Sequence, residues 1–328
     1  MNTELPLSLL ITAFTGALMA LLPHLSPRQY FFAITVEPGF RSSRGGRASI
    51  RRYQAWVLAA VVLAAVAAAT LGDQWPGAAF VLAPVLPLVI GIGAFLRERA
   101  RVIQHAAKPS GVREARLTPD ADHLPHWIWM ALPPFLAPPT AAAWLRAHWN
   151  AIPERFPIHW NASNQADAWA AKTTLAVYGP LLCGVGMMLL MLLLALAMFH
   201  GARRGPQRLV VLKILLGCVY MLAVVFTAIS LLPVLAIPPL WLLAPVGLYL
   251  PAAIWWAWKA AQDPDMQIDK TPDDCWYLGM FYCNRQDPAI FVQKRMGFGY
   301  TFNMANPLAL VLVVLLIGGI VSLNVFLP

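Results

Sequence analysis

The sequence predicts an all-α polytopic membrane protein of eight transmembrane helices, with both termini outside and a small cytoplasmic β-hairpin module. Three observations carry that reading. Long apolar runs recur at residues 5–23, 54–72, 76–96, 125–145, 174–199, 209–232, 238–258 and 306–327. Charged residues lie between those runs, Lys213 apart, and the basic ones collect in alternate connections. One stretch, residues 259–305, is too long and too aromatic to be a connector.

Each run is close to the roughly 20 residues that a helix needs to cross a hydrocarbon core of about 30 Å. Helix is required there because a lone strand or loop would leave backbone groups without partners in lipid. The connections after the first, third, fifth and seventh runs, with Lys213, hold 21 of the 24 basic residues and 11 of the 15 acids. The opposite side holds Arg146, Arg155 and Lys172 against Glu4, Asp73, Glu154 and Asp167. The split is +10 against −1, which gives the net +9. Basic loops stay in the cytoplasm, so residues 146–173 face outward and residues 259–305 face inward.

The basic balance therefore encodes topology and places cations beside anionic headgroups. Nucleic acid is not an expected partner, because no basic stretch is interleaved with aromatic residues. The first run follows Met1-Asn2-Thr3-Glu4, without a positive flank, and Arg28 and Arg41 come after it. It reads as an uncleaved helix inserted with its start outside. Cys183 and Cys218 fall within helices and Cys275 and Cys283 on the cytoplasmic side, so the four read as packing residues.

The chain divides accordingly. Residues 1–124 form a three-helix membrane region with two basic loops. Residues 125–258 form a four-helix region carrying the outward loop 146–173. Residues 259–305 form an acidic linker and hairpin module, and residues 306–328 the last helix. Within the module, Asp263, Asp265, Asp269, Asp273 and Asp274 read as a solvated acidic approach, since they lack the spacing, Gly and terminal Glu of a calcium loop. Cys275 to Cys283 and Ala289 to Lys294 read as two strands about a turn at residues 284–288, which predicts a hairpin with a covered aromatic face.

In the outward loop, Pro153 and Pro157 impose extended backbone, making residues 158–160 strand-like. Asn161 to Asp167 has turn chemistry, with Asn164 suited to positive φ. Trp160 and Trp169 suit the headgroup layer. Pro157-Ile158-His159-Trp160-Asn161, followed by Asp167, Trp169 and Lys172, resembles the signature of the prokaryotic membrane domain of unknown function numbered 1648, whose best-known members are SdpI-like immunity proteins. Asn164 stands where that family usually has Gly, and Ala166 where a Pro often precedes the Asp. Arg41 to Tyr53, with Arg47, Arg51 and Arg52, resembles the first cytoplasmic loop of less-studied relatives. Gly279-Met280-Phe281-Tyr282, Asn284, Asp287-Pro288 and Phe291-Val292 to Asn303 resemble a second uncharacterised module found with them.

The resemblance implies an inner-membrane protein that protects against, or senses, an extracytoplasmic peptide or envelope stress. In that expectation Trp160 and Trp169 hold the loop at the interface, while His159, Asn161, Asp167 and Lys172 shape the contact surface. Membrane lipids, an extracytoplasmic peptide and a cytoplasmic regulator are the implied partners. The same set also reads as a loop that locks itself by hydrogen bonds. An enzyme acting on lipid or peptide at the outer face is the alternative, with His159 as general base and Asp167 orienting it. A transporter of an uncharged or lipid-like substrate is another.

No cofactor is expected. A zinc site would have to recruit His148 and His159, which lack the helical i, i+4 spacing, and no nucleophile elbow, phosphate loop or dinucleotide fingerprint occurs. Gly91-Ile92-Gly93 and Gly184-Val185-Gly186 lie in apolar runs and suit close helix contact. Acids and bases are absent from the middle of the runs, which speaks against ion-coupled transport. Pro84, Pro87, Pro133, Pro134, Pro138, Pro139, Pro245 and Pro251 open a cavity or are absorbed as kinks.

Overall fold

Helix dominates the computed structural model, which describes residues 5–72, 74–107, 123–161, 165–202, 207–235, 238–262 and 271–326. Its helices are α1 (Leu5–Leu25), α2 (Arg44–Leu71), α3 (Pro76–Val102), α4 (Ala137–Ala147), α5 (Thr174–Gly201), α6 (Gln207–Leu235), α7 (Leu243–Gln262) and α8 (Pro307–Phe326). Among the described residues, four short antiparallel hairpins pair β1 (Tyr30–Phe31) with β2 (Ile34–Thr35), β3 (Arg155–Trp160) with β4 (Ala166–Ala171), β5 (Trp276–Tyr277) with β6 (Phe281–Tyr282), and β7 (Phe291–Gln293) with β8 (Tyr300–Phe302). Six helices among the described residues are long and apolar enough to cross a membrane. The chain is a multi-pass membrane protein.

Local chemistry sets the helix ends. α2 begins ten residues before its apolar run, where the Ser43 side chain accepts from the Gly46 amide at 3.1 Å and satisfies one of the free amides of the first turn. Thr173 does the same for α5, through the Ala176 amide, and Asn306 for α8, through the Leu308 amide.

The expected continuous helix over residues 125–145 is not formed. Two 3₁₀ turns, His126–Ala131 and Pro133–Leu136, lead into the 11-residue α4. Pro133 and Pro134 each lack an amide hydrogen, and their rings exclude the preceding carbonyls, which breaks the α-ladder there, while Pro138 and Pro139 fall in the first turn of α4, where amides have no helical partner. The stretch nevertheless runs the length of the α5–α6 pair. Trp127 and Ile128 pack beside Phe199 and Leu212, Phe135 beside Met188 and Val219, and Ala141 and Leu145 beside Val177 and Leu181.

Helices α1, α2 and α3 pack as one unit, and α5, α6 and α7, with α4, as another; α1 and α7 meet between them. Close approach is local. A Cβ at Gly184 would lie 2.5 Å from Phe226 Cβ, and one at Gly217 would lie 2.9 Å from the Tyr249 ring, whereas Gly93 and Gly186 face open space. Only one glycine of each apolar Gly-x-Gly pair is therefore a contact residue.

The basic connections gather on one face. Val36 bridges to Ala106 and Ala202 to Phe291, the Thr35 hydroxyl donates to Asp273 at 2.9 Å, and Arg28 donates to Gln262 at 3.3 Å. The C-terminal module, residues 271–306, braces both helical units from this face. Arg295 donates to the Ala33 carbonyl and the Gly297 amide to Ser26 on the first unit, while the Ile290 amide donates to Gly201 and Gln207 to the Gly299 carbonyl on the second.

The single hairpin expected in this module is replaced by two. Leu278 and Gly279, at φ 54° and 74°, turn β5 back onto β6, and Gly297 and Gly299, at 74° and 109°, turn β7 onto β8. Tight turns of this hand favour local partners over the longer loop at residues 284–288, whose Asn284 and Asp287 instead bind their own backbone. Trp276, Tyr282 and Phe291 are buried as expected, but Tyr277 and Phe281 are exposed. The acids Asp263, Asp265 and Asp269 lie outside the described residues, as do Ser163 and Asn164.

Candidate functional site

The loop at residues 146–173 lies on the face opposite the basic connections and folds as the β3–β4 hairpin. Strand β4 was not foreseen, because Ala166, Ala168, Ala170 and Ala171 carry little strand propensity; pairing with β3 imposes it. Phe156 and Ile152 anchor the hairpin, buried among Leu145, Val177 and Leu181. Pro157 stands across from Trp169, which is 52% exposed.

The ladder is irregular only at His159, which pairs with Ala168 between two register shifts that cancel. The pairing of Arg155 with Ala171, Phe156 with Ala170, Pro157 with Trp169 and Trp160 with Ala166 sets residue 159 across from residue 167 on one face. The local irregularity leaves that meeting intact, and His159 Nδ1 comes to 2.5 Å from Asp167 Oδ1. Both side chains stay open to solvent, at 68% and 43% exposure.

The remaining predicted residues take other places. Asn161 closes the turn: its amide donates to the Gln165 carbonyl at 2.9 Å and its side chain accepts from the Gln165 amide at 3.0 Å. Lys172 is packed at the base of the hairpin, with its ammonium 5.4 Å from the Trp149 ring and 3.6 Å from Glu154. Its amide also donates to the Glu154 carbonyl. Trp160 is half-buried. The set is thus one exposed pair, one turn residue and one basal residue rather than a single cluster.

Sequence reasoning passed over the support beneath the hairpin. Trp149 stacks on Tyr178, and Trp144 on His148, whose Nδ1 lies 2.9 Å from the Trp144 carbonyl. The i, i+4 spacing of Trp144 and His148 was the available signal. Among the described residues no three His, Cys, Asp or Glu side chains are grouped to hold a metal ion. Chemically, the hairpin offers an imidazole held by a carboxylate, beside a projecting indole and the 51% exposed Ile158.

Two family models match the chain: a domain of unknown function, DUF1648, over residues 140–184, and a family of unknown function, DUF5808, over residues 285–310. The first spans the hairpin with the end of α4 and the start of α5; the second spans β7, β8 and the start of α8. None of the curated proteins and none of the solved structures compared matches the chain.

Proposed function

We propose that the chain is an SdpI-like inner-membrane protein that guards against, or senses, a membrane-active peptide or envelope stress, with the β3–β4 hairpin as its contact surface. The observation that carries this reading is the exposed His159–Asp167 pair, held across the β3–β4 ladder beside Trp169 and Ile158. A connector between two helices needs no such arrangement, whereas a recognition surface needs polar groups fixed next to apolar ones. In this reading the hairpin faces outward, the basic face is cytoplasmic, and both termini are outside. The broken stretch from His126 to Ala147 and α8 supply the crossings that bring six to eight. The gathering of the basic loops on one face supports it.

The test challenges cells carrying the wild type, His159→Ala or Asp167→Ala with an amphipathic membrane-active peptide. Protection by the wild type and its loss in both variants, with insertion and monodispersity unchanged, is the expected result. Full protection in both variants sinks the assignment.

A second reading is favoured by the pair itself, since an imidazole held by a carboxylate is the arrangement of a general base and its orienting group. On that reading the protein acts on lipid or peptide at the same face, and the two variants lose turnover of a bilayer-embedded substrate.

A further inference from the structure

The β5–β6 hairpin turns two faces in different directions. Trp276 and Tyr282 form one cross-strand pair, buried in the module at 3% and 0% exposure. Tyr277 and Phe281 form the next pair, which alternation sends to the other face. With Leu278 at the turn they are 62%, 47% and 56% exposed. Two aromatic rings and a leucine left together on a short turn require an apolar covering.

The depth of the turn identifies the cover. Met280 packs into the cluster formed by Met19 and Leu22 of α1, Tyr53 of α2, and Phe95 and Leu96 of α3. Gly279 abuts Ala33 and Arg99 so closely that a Cβ there would lie 2.6 Å from Ala33 Cβ and 2.9 Å from the Arg99 guanidinium. The apolar run of α3 ends at Leu96, and Arg97, Glu98, Arg99 and Arg101 follow. The turn therefore rests at the level where α3 leaves hydrocarbon for headgroups. Trp56, 47% exposed with the Arg97 guanidinium 5.9 Å from its ring, marks the same level.

Charge agrees with depth. Arg52, Arg97, Arg99, Arg101 and Arg295 stand with two acids, Glu98, which Arg52 and Arg101 contact, and Asp273, which Arg295 contacts. An excess of cations beside exposed aromatic and aliphatic side chains fits a layer of anionic headgroups over acyl chains.

We propose that the β5–β6 turn is a membrane-dipping tip, which inserts Tyr277, Leu278 and Phe281 into the lipid interface on the basic face while the neighbouring arginines attract anionic phosphates. The C-terminal module is then held by the bilayer as well as by the two helical units it braces. This inference is independent of what the β3–β4 hairpin recognises.

The test uses the full-length protein in liposomes of phosphatidylethanolamine and phosphatidylglycerol, with p-benzoylphenylalanine in place of Leu278, Phe281 or Arg285. Arg285, exposed elsewhere in the same module, is the control. Irradiation should give phospholipid adducts at the first two positions and few at the third, with phosphatidylglycerol enriched several-fold over its share of the bilayer. Adduct yields at Leu278 and Phe281 equal to that at Arg285 would overturn the proposal, as would cross-links at those positions to a second copy of the chain in place of lipid. Two positions are used so that a folding defect at one does not remove the test.

Discussion

Arg295, with no exposed surface, donates to the carboxylate of Asp273, and the same carboxylate accepts from Thr35 in the loop between α1 and α2. Its guanidinium lies between the rings of Tyr30 and Trp276, at 4.6 and 5.1 Å from their centroids, and also donates to the carbonyls of Thr271 and Ala33. One side chain thus ties the module to the β1–β2 turn. Phe32 and Ala33 of that turn have φ of 47° and 60°, which non-glycine residues adopt at a cost of about 1–2 kcal/mol each. Arg99 holds the Phe32 and Ala33 carbonyls from the other side.

Replacing Arg295 by Met should therefore destabilise the module by about 3 kcal/mol, since it leaves a carboxylate and two carbonyls short of a donor. Lys should not restore the wild type, because a single ammonium cannot reach the same acceptors in a planar fork. Thermal unfolding in detergent, with trypsin cleavage within residues 259–305 as the local readout, measures both. Unchanged cleavage would show that the brace does not depend on this residue.

The sidedness of the two faces is checked by thiol labelling. In a background without the four native cysteines, a cysteine at Gln165 should react with an impermeant reagent added to intact cells, and one at Gln286 should react only after lysis. Reversed labelling would invert the orientation.

The His159–Asp167 pair is exposed, so its coupling in a double-mutant cycle should be small, about 0.2–1 kcal/mol in thermal stability. A coupling above about 2 kcal/mol would mark the pair as structural rather than as a contact surface.

Close helix approach separates two neighbouring glycines. Gly184→Ala should cost about 1–3 kcal/mol, because Phe226 and its helix must move, whereas Gly186→Ala meets nothing and should be neutral or mildly stabilising. Equal effects would mean that α5 and α6 do not pack in this register.

The 3₁₀ turns ahead of α4 should exchange amide hydrogens at least about tenfold faster than the middle of α5, since proline removes donors and weakens the local ladder. Equal protection would indicate a continuous helix there.

Composition along the chain was enough to identify a membrane protein, because an apolar run of about 20 residues has few other stable fates and the basic residues sort into alternate loops. It also located both unusual regions, since Pro157, His159 and Trp160 break the pattern of a simple connector and the aromatic run after Cys275 needs cover. Pairing was another matter. Whether β5 meets β6 or β7 depended on positive φ at Leu278, a residue type that gives no hint of it, and strand β4 was hidden in an alanine-rich stretch. The meeting of His159 and Asp167 rests on the pairing of β3 with β4, and the burial of Lys172 on Trp149 and Glu154 across the base of the hairpin. Such features belong to tertiary structure: a register shift of one residue moves a side chain to the other face, and only packing against α4 and α5 selects which.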